Sequence, residues 1–270
     1  MIVSRCDVTI SCVTAHRRLA DLRASEMPNR VSDRSTLVLP LGAIEQHGPH
    51  LPYSTDLLVA DAAAQAAVDR AGEDHDLWLL PSLAYTKSNE HAWDSGTFWL
   101  SATTMLSVLD DIGRSAAQTG AKRLALLNGH GGNTALLGVA CRELRLKYGL
   151  KTFLLHPMVP PDHGGASTAN ELGMGIHAGI DETSMVMYLR PDLVDLSVAV
   201  RNVPEGLARN KHVRFGGSVS FGWLSNDFGP SGVIGDPSGS NAELGKQLFD
   251  GCVNTLCEAF SEIERFDFGR

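Results

Sequence analysis

Apolar positions along this chain fall into short continuous runs separated by longer stretches with helical spacing. Thr36 to Leu41 (TLVLPL), Leu77 to Leu80, Arg123 to Leu127 and Lys151 to Leu155 are the short runs. Their length and successive apolar positions predict buried strands. Leu57 to Ala71, Thr103 to Thr119, Asn133 to Lys147, Glu182 to Tyr188 and Ala242 to Glu264 carry the helical pattern. Strands alternating with helices predict an α/β fold, a three-layer α/β/α arrangement around a mostly parallel central sheet. No composition break, internal repeat or low-complexity tract divides residues 1–270, so the chain reads as a single domain. Ligands of open parallel sheets bind beyond the carboxyl ends of the strands. The loops after TLVLPL and after Arg123–Leu127 are therefore expected to meet there.

Composition narrows the function classes. A net charge of −8 argues against nucleic acid and against anionic membrane surfaces. Met1 to Arg18 lacks the apolar core of a signal peptide and no later run is long enough to span a bilayer, which predicts a soluble, cytoplasmic protein. The five cysteines, Cys6, Cys12, Cys141, Cys252 and Cys257, show no CxxC pairing and read as reduced thiols, with Cys141 in core packing.

The chemistry concentrates in LGAIEQHGPHLPYSTD at positions 41 to 56. In extended chain, side chains two apart share a face, so Glu45 and His47 can point into one cavity while Gln46 points away. Gly48, Pro49 and Pro52 turn the chain, which could return Asp56 to that cavity as a third ligand. Asp56 also precedes a helical run, where it could serve as an N-cap. Carboxylate with imidazole and no thiolate suits zinc, manganese, iron or another first-row divalent ion. The second constellation is Asn128-Gly129-His130-Gly131-Gly132-Asn133, with His130 at a strand-to-helix junction and glycines that permit close approach. It lacks the spacing and Lys of a P-loop, so His130 is read as a further metal ligand rather than part of a phosphate cradle.

HAGIDETS at 177 to 184 adds His177, Asp181 and Glu182. Capping and the helix dipole account for the two carboxylates, Asp181 as N-cap, but not for His177. Glu182 is read as a metal ligand with a part in catalysis, and His177 as a proton shuttle or as a group behind the ligands. Ala84 to Trp99 looks like a long functional loop. Within it Glu90 and His91 could meet substrate or a neighbouring subunit, while Trp93 and Trp99 resemble packing residues. Gly229 to Pro237 is turn-dense and could either close over a pocket or lie on the surface. His50, Glu90, His91, Trp93 and Asp236 are the candidate substrate contacts. His75, His156, His163 and His212 carry no ligand pattern.

With LGAIEQHGPHLPYSTD, NGHGGN and HAGIDETS in hand, the chain resembles the creatininase family of metal-dependent amidohydrolases, from about Thr36 to Pro237. The resemblance implies an α/β fold, two divalent ions per subunit and a homohexamer. It also implies that Glu45 and His130 hold one ion and His47 the other, with Asp56 bridging and Glu182 completing the second site. Two departures turn the expectation away from creatinine. Creatinine-hydrolysing members have Tyr-Glu after NGH where this chain has Gly131-Gly132, and a Trp covering the substrate where it has Gly173. The expected activity is hydrolysis of a C–N bond in a cyclic amide, formamide or peptide-like substrate, with His177 passing a proton to the leaving nitrogen. The alternatives are a hydrolase or isomerase of an inosose-type sugar, a mycofactocin-type precursor peptidase, and a non-catalytic binding or assembly protein on the same fold.

Overall fold

A computed structural model describes residues 17–157 and 169–269. Cys6, Cys12 and His163 lie outside the described residues. Four strands, β1 (Thr36–Leu41), β2 (Leu77–Leu79), β3 (Arg123–Asn128) and β4 (Lys151–Leu155), form a parallel sheet in the order β2-β1-β3-β4. The five long helices are α1 (Thr55–Ala71), α2 (Ala102–Gln118), α3 (Thr134–Tyr148), α4 (Ile180–Leu189) and α5 (Ala242–Arg265).

Alternation of side chains along the strands sorts the core into two layers. Val38, Ala125 and Leu127 pack with α1, α4 and α5, through residues such as Ala63, Ala64, Met185, Phe249 and Phe260. Leu37, Leu39, Leu124 and Leu126 face the other way, onto Met105 and Leu109 of α2 and Leu137 and Leu144 of α3. Burial on both faces is why β1 reads as an unbroken apolar run. Among the described residues no helix is long and apolar enough to cross a membrane.

From β1 the chain moves to β2 on one side of the sheet, and from β3 to β4 on the other. The carboxyl ends of β1 and β3 therefore flank a topological switch point, where a crevice opens. Two glycines bring α1 into it. A side chain at Gly42 would overlap the backbone of Leu57, and one at Gly129 would lie 2.8 Å from the Asp56 carbonyl and from Ala60 Cβ. Without them the first turn of α1 could not sit over the strand ends.

The helix starts differ from the sequence reading in a way that matters. Helix α1 begins at Thr55 with Ser54 as N-cap, so Asp56 lies inside the first turn and is not the cap. Helix α4 begins at Ile180 with Gly179 as N-cap, and Asp181 likewise lies within its first turn. The segment 229–237 is no plain surface loop. Ile234 exchanges backbone hydrogen bonds with His177, and the Ser231 carbonyl accepts from Gln46 Nε2 at 2.5 Å. Trp78 is core, whereas Trp99 is about half exposed and Trp93 little less, because their loop runs over the surface.

Candidate metal centre

Three loops and two helix starts converge on the crevice. Glu45 and His47 follow β1, Asp56 belongs to the first turn of α1, His130 follows β3, and His177 and Glu182 flank the start of α4. Asp56 and Glu182 thus occupy helix amino-terminal turns, where the dipole favours a carboxylate. Glu45, Asp56 and His130 form one compact set of possible ligand atoms, and His47, His177 and Glu182 a second. A third set, Glu45 with His91 and His177, shares residues with both.

Asp56 lies between the first two sets. Its Oδ1 is 3.1 Å from His47 Nε2, and its Oδ2 is 2.9 Å from His130 Nδ1. Glu45 Oε2 is 3.2 Å from His130 Nδ1, and Glu182 Oε2 is 3.9 Å from His47 Nε2. The side chains of Glu45, His47, Asp56, His130 and His177 are buried, while that of Glu182 keeps 17 % of its surface exposed and marks the open side.

Three of the histidines each spend one ring nitrogen on a backbone carbonyl. His47 Nδ1–H donates to the Glu45 carbonyl at 3.2 Å, His130 Nε2–H to that of Lys87 at 3.1 Å, and His177 Nε2–H to that of Gln46 at 2.6 Å. A carbonyl can only accept, so the proton is fixed on that nitrogen and the opposite nitrogen is turned toward the carboxylates. Asp56 Oδ2 is buried with His130 Nδ1 as its neighbour at 2.9 Å, and that nitrogen can donate to it only when the ring carries a second proton. Converging lone pairs with the protons directed outward are the arrangement of a cation site, and carboxylate with imidazole suits first-row divalent ions.

Electrostatics point the same way. Burial opposes charge on His47, but Asp56, then Glu182 and Glu45, outweigh it and hold the imidazole up at about 10. Burial likewise opposes charge on His130, and Glu45, Asp56 and Glu90 raise it well above the ordinary imidazole value. Burial pushes Glu182 up to about 7, with His47 pulling down and Asp56 and Glu45 pushing up. His177 is driven well below its usual value by burial and by the neighbouring His47, and stays neutral. The metal-free pocket therefore gathers protons because it carries more carboxylate than it can leave uncompensated.

The other sequence candidates fall around this set. His91 packs against His177 with the rings tilted by 35° and their centroids 4.2 Å apart, and its Nε2 is 3.4 Å from Glu45 Oε1. Glu90 lies behind His130, its Oε1 3.2 Å from His130 Nε2 and its Oε2 2.7 Å from Lys87 Nζ. His50 donates or accepts at Thr183 Oγ1, 3.0 Å away, and so ties the EQHGPH loop to α4. Trp93 Nε1–H donates to Ser225 Oγ, and Asp236 accepts from Ser238 and pairs with Arg201. Three contributors carried no readable signal. Ser88 Oγ donates to Glu45 Oε2 at 2.5 Å, Lys87 acts through its carbonyl, and Asn128 Nδ2 donates to the His130 carbonyl. A backbone contact leaves no mark on residue identity, although the paired asparagines of NGHGGN could have been weighed as loop braces.

Comparison with known proteins agrees with this geometry. The creatininase family profile, described as creatinine amidohydrolase, matches residues 20–260. A mycofactocin precursor peptide peptidase of Mycobacterium ulcerans is 33% identical over 254 residues, covering 89% of this chain and 93% of that protein. A creatinine amidohydrolase of Pseudomonas putida is 34% identical over 185 residues, 62% of this chain and 69% of that one. A crystal structure of creatinine amidohydrolase superposes with a TM-score of 0.72 at 25% identity, covering 94% of this chain and all of that one. Solved creatininases of the same fold include a manganese form and a zinc–zinc form. The match runs through every loop that builds the crevice, and the chain belongs to the creatininase family of hydrolases.

Proposed function

We propose that the protein is a two-metal amide hydrolase whose substrate is a peptide. Glu45, Asp56 and His130 would hold one divalent ion, and His47, Asp56 and Glu182 the other. The observation that carries this reading is the orientation of the histidines: the ring protons of His47 and His130 go to backbone carbonyls, and their free nitrogens face opposite oxygens of Asp56. Divalent ions held by these residues would supply positive charge for polarising an amide carbonyl and for lowering the pKa of water.

The protein's own groups do the rest. His177 keeps its proton on Nε2, toward Gln46, so Nδ1 is the atom able to take up a proton and hand it to the leaving nitrogen. Burial keeps that imidazole neutral at the start of the cycle, as an acceptor must be. Glu182, on the open side, helps hold the reacting groups against His47.

Two observations favour a peptide over a small ring. Relatives that align over most of this chain include mycofactocin precursor peptide peptidases. The loops beside Glu45 also display an aromatic surface: Phe98 pairs with Ile44, lies tilted against Tyr85 and is 62% exposed, while Tyr53, whose carbonyl accepts from Glu45 N–H, is about half exposed. Such rings suit the side chains of an extended chain. The membership also leads us to expect a homohexamer.

The test is direct. Protein purified without chelator should carry about two divalent ions per chain, and mass spectrometry should show cleavage of peptides with apolar or aromatic ends. Creatinine should be turned over poorly. A higher kcat/KM for creatinine or a formamide than for any peptide would transfer the function to a small-ring amidase, and an intact ligand set without metal uptake would leave a non-catalytic protein.

A further inference from the structure

Glu90 is buried, and its carboxylate meets His130 at the ring nitrogen opposite the one that faces Glu45 and Asp56. It stands on the far side of His130, where His130 Nε2 has two acceptors, the Lys87 carbonyl at 3.1 Å and Glu90 Oε1 at 3.2 Å. The other oxygen of Glu90 pairs with Lys87 Nζ at 2.7 Å, and the Glu90 carbonyl accepts from Ser225 Oγ. Residues 87 and 90 thus bracket one edge of the imidazole, one by backbone and one by side chain, held by an internal ion pair. Position 132 completes the picture. A Cβ there would overlap Glu90 Oε1 and would lie 2.5 Å from His130 Nε2, so the carboxylate of residue 90 fills the volume that a side chain at residue 132 would need.

We propose that Glu90 is the positioning residue of His130, and that residue 132 is glycine to make room for its carboxylate. This rests on the two-metal reading above. A carboxylate on the outer nitrogen locks the ring's orientation, keeps the proton on Nε2 and makes Nδ1, which faces Glu45 and Asp56, a stronger lone-pair ligand for a cation held there. Lys87 balances the charge of Glu90, so the support does not add another uncompensated carboxylate to the pocket.

The experiment compares wild type, Glu90→Ala, Glu90→Gln, Gly132→Ala and the Glu90→Ala/Gly132→Ala double variant, stripped of metal and titrated with zinc against a chromophoric chelator. Parallel titrations with cobalt(II) report ligand geometry through the visible bands. Wild type should bind two ions. Glu90→Ala should weaken one of them about 10- to 100-fold and alter the cobalt spectrum. Glu90→Gln keeps an oxygen for Nε2–H to donate to, and should restore the spectrum and most of the affinity. Gly132→Ala should weaken the same ion, because its methyl group would press on both the Glu90 carboxylate and His130 Nε2, and the double variant, which keeps the second of these contacts, should bind no better than Glu90→Ala. Wild-type affinity with an unchanged cobalt spectrum in Glu90→Ala would overturn the proposal. If Glu90→Ala does not fold, Gly132→Ala decides, and wild-type affinity there refutes it. A wild type that takes up no metal brings down the two-metal reading itself, a result no variant can mimic.

Discussion

Asp56 presents one oxygen to His47 and the other to His130, from a helix turn whose free N–H groups favour negative charge. On the two-metal reading proposed above, removing it would leave two cations with less neutralising charge and no shared ligand. Asp56→Ala should therefore lower metal content at both positions and abolish turnover. Elemental analysis and peptide cleavage check this, and a variant retaining two ions would leave Asp56 only a helix residue. His177 has a different place, since its free nitrogen approaches the carboxylates less closely, 3.8 Å from Glu45 Oε1. Its substitution by alanine should lower kcat about 10²- to 10⁴-fold, the usual range for a lost proton-transfer group, while both ions stay bound. Loss of metal in step with kcat would instead make His177 a ligand.

Helices and strands set the precision of this arrangement. The alanine face of α1, with Ala60, Ala63, Ala64 and Ala67 fully buried, lets the helix lie close on Val38, Ala125 and Leu127. Close packing at its amino-terminal end depends on Gly129, where even a methyl group would press on the Asp56 carbonyl and Ala60. Gly129→Ala should cost about 1–3 kcal/mol of stability, as overpacking generally does. It should also weaken metal binding, because the turn carrying Asp56 must move. Denaturant melts of the metal-free protein with zinc titration of the same sample measure both effects. A stability loss with unchanged affinity would show that α1 yields along its length rather than at Asp56.

At the scale of the whole molecule, metal and protons compete for one buried store of negative charge. In the metal-free fold His47 is held up at about 10 against an ordinary 6.5, and His130 is raised with it. A raised folded-state pKa means that the stabilisation is complete below about pH 6.5 and is lost as pH climbs toward 10. The metal-free melting temperature should fall over that interval. Divalent ions replace the protons, so the loaded protein should hold its stability there and metal uptake should release protons. At a hundredfold excess over Kd each ion adds about 2.7 kcal/mol, and stripping both should lower Tm by several degrees, reversibly. Thermal melts with chelator and with zinc at pH 6.5 and 9 test the sign. A metal-free Tm that rose with pH would contradict it.

Continuous apolar runs marked the strands, most plainly β1 and β3, because a strand buried on both faces has no polar side to show, and the helical periods marked the five long helices within a few residues. The short motifs around Glu45, His47, Asp56, His130, His177 and Glu182 were equally legible, since chemistry of this kind needs those residue types close in sequence at turns. Their convergence was not. Placing Asp56 between His47 and His130 required the register of β1 against β3 and the glycines under α1, which are long-range facts. Glu90 shows the limit most clearly. From sequence it was a polar residue in a functional loop, open to substrate or subunit, and only the fold put its carboxylate behind His130 in the space beside Gly132. Local order follows from propensity and period, which act over a few residues. The pairing of one side chain with another 40 residues away is decided by packing, and exists only in the folded chain.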